Sequence, residues 1–212
     1  MNGQRVQFAT PTYPVSLSLL PPTAKKIIRK IIGIFLHYGI AMDLTMLVAL
    51  GTLASQQENP AEALWNGITW FLNYAATHPD AIICYSKSDI ILHVSSDGSY
   101  VSETKSRSRV EGMFYLSSSP PDKQPQNIPH PFNAPIHVVA KILKMITSSA
   151  METEVAATFY NCKEALPFRV TLEELDHHQP PTPVEVDNEA AIGFLLDTMK
   201  MKYSKAIDMR FY

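Results

Sequence analysis

Four acidic residues stand along the 212-residue chain in the order Asp, Glu, Asp, Asp: Asp97, Glu154, Asp187 and Asp208. Two follow apolar, strand-like runs, one lies in the first turn of a predicted helix, and one lies at the start of another. Convergent carboxylates in a chain without a Cys and His cluster favour hard, oxygen-ligated cations such as Mg²⁺. Paired cations of this kind catalyse phosphoryl transfer on nucleic acids. The sequence therefore predicts a divalent-metal site built from these four residues.

Each of these carboxylates also has a structural explanation when it is taken alone. Asp97 precedes Gly98, and Asp-Gly is a common hairpin turn. Asp187 precedes a predicted helix whose dipole would stabilise it, and Asp208 taken alone is better explained as a solvated helix residue. Because the chain contains 20 Asp and Glu residues, four well-placed acids can arise by chance. The metal hypothesis therefore depends on the four positions together.

The choice between two neighbouring glutamates depends on helix capping. Ser149 and Glu152 have the S-x-x-E spacing of a capping box, which gives Glu152 a structural role. The apolar positions of this helix place Glu152 and Glu154 on opposite flanks, so helical geometry alone does not decide between them. The capping box favours Glu154 as the functional residue.

The composition is that of an ordinary globular chain. Hydrophobic residues make up 46% and charged residues 18%, and the net charge is −2. The overall charge thus gives no sign of a nucleic-acid-binding protein, and such a role needs a local basic patch. Cys84 and Cys162 lie in apolar segments without metal-ligand spacing and are predicted to be reduced core residues of an intracellular protein. Charged residues interrupt the most apolar stretch, 27–54, before it reaches the roughly 20 residues needed to span a bilayer.

The predicted secondary structure changes near residue 80, from helices to a mixture of strands and helices. Residues 1–23 are Pro-rich and predict a flexible lead-in, 24–79 a helical module, and 80–212 a mixed α/β domain. Thr23 is the predicted N-cap of the first helix, and Asn59 and Pro60 are the predicted cap and first position of the third. The α/β region is expected to contain a hairpin of strands 81–85 and 89–95, strands at 109–117, 134–145 and 183–186, a Pro-rich loop at 118–131, and helices at 150–164, 169–178 and 188–199.

The sequence segments around the four acids resemble the motifs of a known protein family. Ser96-Asp-Gly-Ser-Tyr100, Ser149-Ala-Met-Glu-Thr-Glu-Val-Ala156, Val186-Asp-Asn-Glu-Ala-Ala-Ile192 and Lys205-Ala-Ile-Asp-Met-Arg-Phe-Tyr212 look like the successive motifs of a ribonuclease H domain. They are closest to the domain that ends the polyprotein of copia-type LTR retrotransposons. The resemblance covers roughly residues 24–212, and its helical part is similar to the segment that links the polymerase thumb to the nuclease.

This resemblance implies a fold and an activity. The fold would be α/β, with a ribonuclease H-like mixed sheet flanked by helices and an N-terminal helical module. Asp97, Glu154, Asp187 and Asp208 would hold two Mg²⁺ ions, with Mn²⁺ as a substitute. These ions would hydrolyse the RNA strand of RNA–DNA hybrids during reverse transcription. The implied partners are the hybrid and a reverse transcriptase polymerase domain of the same polyprotein, and no membrane is expected. The implied location is the cytoplasm, a virus-like particle or the nucleus.

Hybrid binding would need phosphate contacts from basic side chains. The predicted contacts are Lys105, Arg107, Arg109, Lys141 and Lys144, although each of them taken alone is better explained as a solvated surface charge. The hybrid would be recognised by its shape and its 2′-hydroxyl groups.

Three alternatives remain open on the sequence. The first is an inactive, truncated remnant, because Ala206 replaces the family's usual His and the final helix is cut at Tyr212, as in a fragment of a longer protein. The second is an integrase-type nuclease, which the order of the acids disfavours. The third is a binding module whose acids are only caps and turns.

Overall fold

The computed structural model describes residues 19–58, 60–80, 82–103, 106–118 and 133–196. Within these residues an N-terminal group of helices is followed by a mixed α/β unit. The elements in chain order are α1 (Pro22–Ala41), a 3₁₀ turn (Leu44–Met46), α2 (Leu47–Ser55), α3 (Glu62–Thr77), β1 (Ile91–Glu103), β2 (Arg107–Ser117), β3 (Pro135–Ile142), α4 (Ala150–Glu174), β4 (Val184–Val186) and α5 (Glu189–Leu195).

Apolar residues spaced three and four apart hold the helical module, α1–α3, together. One buried cluster joins α1 to α3 and contains Ile28, Ile32, Leu64 and Ile68. The predicted caps of these helices are wrong. Helix α1 begins at Pro22, where a missing N–H costs nothing, so Thr23 lies inside the helix. Helix α3 begins at Glu62, because Pro60 accepts a hydrogen bond from Leu20 N in the preceding segment.

The sheet has four strands in the order β3-β2-β1-β4. Strands β1, β2 and β3 pair antiparallel, whereas β4 runs parallel to β1. Helix α4 covers one face and buries a core that includes Leu92, Val94, Val110 and Phe114, while α2 contacts β3. This mixed sheet flanked by helices confirms the predicted α/β class and is consistent with a ribonuclease H-like fold.

The predicted hairpin of residues 81–85 and 89–95 is wrong. Residues 82–90 form no strand, and β1 instead runs from Ile91 to Glu103. The polar residues from Ser95 to Ser99 looked like the end of a strand, yet each of them pairs with a residue of β2. Cross-strand pairing therefore overrides the local turn signal of Asp97-Gly98.

Two helices predicted at 150–164 and 169–178 form the single helix α4, which continues through Pro167. A proline inside a helix removes one backbone hydrogen bond. Pro167 lies on the exposed side, while Ala165 and Leu172 on either side of it are buried in the core. Packing of the flanking residues therefore keeps the helix continuous.

The other predicted elements of the α/β unit are confirmed, with small shifts of their ends. Strand β3 stops at Ile142, and Asn188 caps α5 by accepting a hydrogen bond from Ala191 N. Most of the predicted loop 118–131, the end of the helix predicted at 188–199, and Asp208 lie outside the described residues. Cys84 and Cys162 are exposed, so their predicted core positions are wrong. No helix in the described part of the chain is long and apolar enough to cross a bilayer.

Candidate metal centre

Parallel pairing brings two of the predicted acids together. The ladder between β1 and β4 pairs Ser95 with Glu185 and Ser96 with Val186. Asp97 and Asp187 each follow the last pair of this ladder, so they occupy matching positions on neighbouring strands, in the middle of β1 and just after the end of β4. Asp97 itself pairs with Glu111 of β2 inside a continuous ladder, so it does not lie in a hairpin turn.

A glycine allows α4 to approach these two acids closely. A Cβ atom at Gly98 would lie 2.9 Å from the Thr153 carbonyl oxygen and 3.1 Å from the Glu154 Cα. Only glycine avoids this clash, so Gly98 lets the first turn of α4 rest against β1 beside Asp97. Sequence reasoning placed Gly98 in a turn and missed this role.

Buried hydroxyl groups fix the start of α4 on the sheet. The Thr147 hydroxyl lies 2.9 Å from the Ser108 hydroxyl of β2 and 2.8 Å from the Thr153 hydroxyl of α4. Tyr100 of β1 donates a further hydrogen bond of 3.2 Å to the Ser148 carbonyl oxygen. Satisfied buried networks of this kind hold elements in one arrangement, which here sets the position of Glu154.

The first turn of α4 confirms the capping role predicted for Glu152. The Ser149 hydroxyl accepts a hydrogen bond of 3.1 Å from Glu152 N. The Glu152 carboxylate accepts bonds from the backbone N and the hydroxyl of Ser148, at 2.6 and 2.5 Å, and thus one residue before the position expected for a capping box. Glu152 is therefore a buried capping residue.

Three carboxylates converge in the described part of the chain. One oxygen from each of Asp97, Glu154 and Asp187 lies within 4.8 Å of the other two. Glu154 is 5% exposed, whereas the two aspartates are exposed, so the cluster opens to solvent beside the end of β4. The structure thus brings together three of the four predicted acids, while Asp208 lies outside the described residues.

The electrostatics of Glu154 fit a divalent cation. The pKa of Glu154 is raised to about 7, mainly because the carboxyl is buried and next because of the charge of Asp97. Asp187 adds to this rise, whereas a hydrogen bond from the Gly98 backbone opposes it. The Glu154 Oε2 atom is buried and has no hydrogen-bond partner among the described residues. A cation bound between the carboxylates would satisfy this oxygen and offset the clustered charge.

Sequence reasoning missed a further acid beside the centre. Glu111 stands opposite Asp97 on the same face of the sheet. Burial and then the Asp97 charge raise the Glu111 pKa, whereas the Arg109 guanidinium, 3.9 Å from Glu111 Oε1, lowers it. The pairing of residues 97 and 111 depends on the register between β1 and β2, which no local sequence motif marks. The mistaken end of β1 concealed this pairing.

The predicted phosphate contacts differ in their surroundings. The Arg109 side chain is 3% exposed, pairs with Glu103, and donates a hydrogen bond of 2.9 Å to the Thr52 hydroxyl. Its guanidinium therefore does not face solvent. Lys141 Nζ donates a bond of 2.8 Å to the Tyr160 hydroxyl, and Lys144 is exposed. Arg107 is half-buried at the start of β2, and Lys105 lies outside the described residues.

Comparison with known proteins indicates a retroelement origin. The chain is 25% identical, over 164 residues, to the retrovirus-related Pol polyprotein from transposon TNT 1-94 of Nicotiana tabacum. The matched region is 77% of this chain but only 11% of that polyprotein, so the chain spans about a tenth of its relative's length. No protein-family model matches the chain. No solved structure matches it either.

Proposed function

We propose that this chain is a ribonuclease H-like domain of a retroelement polyprotein and that it hydrolyses the RNA strand of RNA–DNA hybrids with divalent cations. The observation that carries the proposal is the convergence of Asp97, Glu154 and Asp187 within 4.8 Å. Their order along the chain and their positions on β1, α4 and the end of β4 agree with the motif resemblance. Similarity to a transposon Pol polyprotein supports the same biological setting.

The openness of the centre suits a long substrate. A cavity of about 520 Å³ lies elsewhere, between α3 and residues 133–135, whereas Asp97 and Glu111 line a smaller pocket of about 220 Å³. The acidic centre itself faces solvent through its two exposed aspartates, beside the end of β4. Small ligands usually bind in enclosed pockets, whereas a duplex needs an accessible surface. The position of the acids therefore favours a polymeric phosphate substrate.

The three acids would have unequal roles. Asp97 stands between Glu154 and Asp187 on one side and Glu111 on the other, which makes it the best-placed ligand to be shared by two cations. Glu154 would contribute its unpartnered, buried oxygen, and Asp187 would complete the site from the end of β4. When bound, Mg²⁺ would lower the pKa of a coordinated water and offset charge that develops on the phosphate.

The test is cleavage of an end-labelled RNA–DNA hybrid in Mg²⁺ by the wild type, Asp97→Asn and Asp176→Asn. Loss of a shared ligand removes several kcal/mol of charge stabilisation, so Asp97→Asn should lower the rate by about 100-fold or more. Asp176 is exposed and has a φ of 63°, a left-handed conformation that asparagine also adopts. Asp176→Asn is thus a matched control and should cleave like the wild type.

Two outcomes would contradict the proposal. Equal cleavage by the wild type and Asp97→Asn would show that the acidic centre does not perform the reaction. Divalent-cation binding without cleavage of any hybrid would favour the alternative of an inactive remnant that keeps the fold. Duplex DNA and single-stranded RNA serve as substrate controls, and neither should be cut at a comparable rate.

A further inference from the structure

The N-terminal half of α1 carries a dense group of cations that the acidic centre does not use. Four of the 18 Lys and Arg residues fall within six positions, namely Lys25, Lys26, Arg29 and Lys30, which we call the basic stripe. Residues 31–86 contain no further Lys or Arg. Ile28 and Ile32 face the core of the helical module, whereas Lys26, Arg29 and Lys30 are exposed and Lys25 is half-buried. The basic stripe therefore lies on the solvent side of α1.

This arrangement is unfavourable in the free protein. The N-terminus of a helix carries partial positive charge, so Lys25 and Lys26 meet a repulsive dipole. The first turn of α1 contains no acidic residue that would compensate. Two pairs of like charges also stand four residues apart, Lys25 with Arg29 and Lys26 with Lys30, and such pairs destabilise a helix. The basic stripe thus costs helix stability.

The rest of the module supplies little compensation. Lys25 Nζ donates to the backbone carbonyl of Glu58. Within the described ranges, no carboxylate lies within salt-bridge distance of any of the four cations. Locally unfavourable residues that lack an internal compensation are expected at functional surfaces. An external polyanion would relieve each of these repulsions.

We propose that the basic stripe binds the phosphate backbone of the nucleic-acid substrate, away from the acidic centre. This inference rests on the proposed function. Residues four apart on a helix are separated by about 6 Å along its axis, so the stripe presents two parallel rows of cations to a strand. Such contacts add affinity without reading base sequence, and they weaken with salt.

The position of the helical module favours nucleic acid over other polyanions. Helix α2 of this module docks on the sheet through Thr52 and Arg109, so the stripe belongs to the same structure as the acidic centre. Near that centre, Arg109 is buried and Lys141 is engaged by Tyr160. Besides exposed Lys144, α1 would provide four further cations for a longer stretch of bound duplex. Exposed Ile27 and Ile34 beside the stripe make an anionic membrane the competing partner, which the test includes.

The experiment uses the full chain in the cleavage-deficient Asp97→Asn background. Binding of a fluorescent RNA–DNA hybrid is measured over a series of salt concentrations. Lys26→Glu combined with Arg29→Glu should weaken binding by about tenfold or more and reduce the salt slope by about two, because two phosphate contacts are lost. Lys87→Glu combined with Lys163→Glu, which changes two exposed lysines by the same charge, should bind like the parent protein.

A second measurement excludes misfolding as the cause. Acidic side chains near a helix N-terminus are favourable, so the stripe variant should melt at a higher temperature than its parent while it binds less. Combining Lys26→Gln with Arg29→Gln should give an intermediate affinity.

Hybrid affinity and salt slope equal to those of the parent would overturn the inference and leave the proposed function intact. Stripe-dependent binding to phosphatidylserine vesicles with unchanged hybrid binding would overturn it in favour of a membrane. Hybrid cleavage by the wild-type chain is scored separately, so failure of the proposed function is distinguishable.

Discussion

The charged form of Glu154 is energetically unfavourable in the metal-free protein. Its carboxyl is buried beside two other acids, and its pKa rises to about 7. Between about pH 4.5 and 7 the folded chain therefore binds a proton at Glu154 that the unfolded chain does not bind. Stability from this group is present at low pH and is lost as pH rises through the folded pKa. The site is thus predisposed to exchange a proton for a cation.

Because the charged form of Glu154 destabilises the fold at high pH, Glu154→Gln should change stability in a pH-dependent way. In a chelator at pH 8, the variant should be more stable than the wild type by the order of 1 to 3 kcal/mol, because a neutral amide replaces a buried charge. Near pH 5 the difference should largely vanish. Denaturant unfolding at both pH values measures it, and added Mg²⁺ should stabilise the wild type at pH 8 but the variant much less.

Glu152→Gln is the control for the same experiment. Glu152 accepts two hydrogen bonds from Ser148, so its substitution should destabilise the protein by about 1 to 2 kcal/mol and leave stabilisation by Mg²⁺ intact. An equal response to Mg²⁺ by the wild type and Glu154→Gln would contradict the assignment of Glu154 to the centre.

The contact between β1 and α4 decides where Glu154 lies. Gly98 permits this approach, and a methyl group there would push the first turn of α4 away from Asp97. Gly98→Ala should therefore destabilise the protein by about 1 to 3 kcal/mol and weaken Mn²⁺ binding, which calorimetry can measure.

Gly33→Ala on α1 is the matched control for Gly98→Ala. No atom lies within 4 Å of a Cβ placed at Gly33, so the change should stabilise the helix by up to about 1 kcal/mol. Unaltered Mn²⁺ binding by Gly98→Ala would show that the close approach does not set the site.

The sequence predicted the element types of the α/β unit better than their ends. Apolar periodicity identified β2, β3 and the start of α4, because their burial follows local alternation. The length of β1 was not predictable in this way, since Ser95 to Ser99 are polar and are held as a strand by their ladder with β2. The sequence predicted two helices separated near Pro167, whereas packing of the residues on both sides keeps α4 continuous across this proline.

The candidate site was predictable where motif and capping patterns supplied the information. Asp97, Glu154 and Asp187 were named from the sequence, and the capping box separated Glu154 from Glu152. Glu111 and Gly98 were missed, because their relevance comes from strand register and helix approach, which depend on tertiary structure. The burial of Arg109 could not be predicted for the same reason, since its partners Glu103 and Thr52 are brought to it by the tertiary structure and by no local sequence pattern.

The two parts of the molecule meet at a buried ion pair. Arg109 of β2 pairs with Glu103 of β1 and donates to Thr52 of α2, and Gly51 allows this contact because a Cβ there would lie 3.1 Å from Arg109 Nη1. Arg109 also lies 3.9 Å from Glu111, the acid opposite Asp97. Docking of the helical module is thus linked through one side chain to the neighbourhood of the candidate metal centre.

Arg109→Met tests whether this ion pair joins the two parts. The change leaves Glu103 buried without its cation, so it should destabilise the protein by about 3 to 5 kcal/mol. Both tryptophans, Trp65 and Trp70, lie in α3, so their fluorescence reports on the helical module alone. In the wild type the fluorescence and circular dichroism transitions should coincide during denaturant unfolding. In Arg109→Met the fluorescence transition should come first, because the module loses its anchor on the sheet.

The control for Arg109→Met is Arg169→Met. Arg169 holds the segment after α4 by donating to Pro180 O, Gln179 O and the Thr182 hydroxyl, and in the described part of the chain all its hydrogen-bond partners lie in the α/β unit. Its substitution should weaken the α/β unit while leaving the module's anchor intact, so the fluorescence transition should not come first. Combining Arg109→Met with Glu103→Met should recover much of the lost stability, because hydrophobic replacement of a buried pair is often tolerated. Coincident transitions in Arg109→Met would show that apolar packing of α2 on β3, and not the ion pair, joins the two parts.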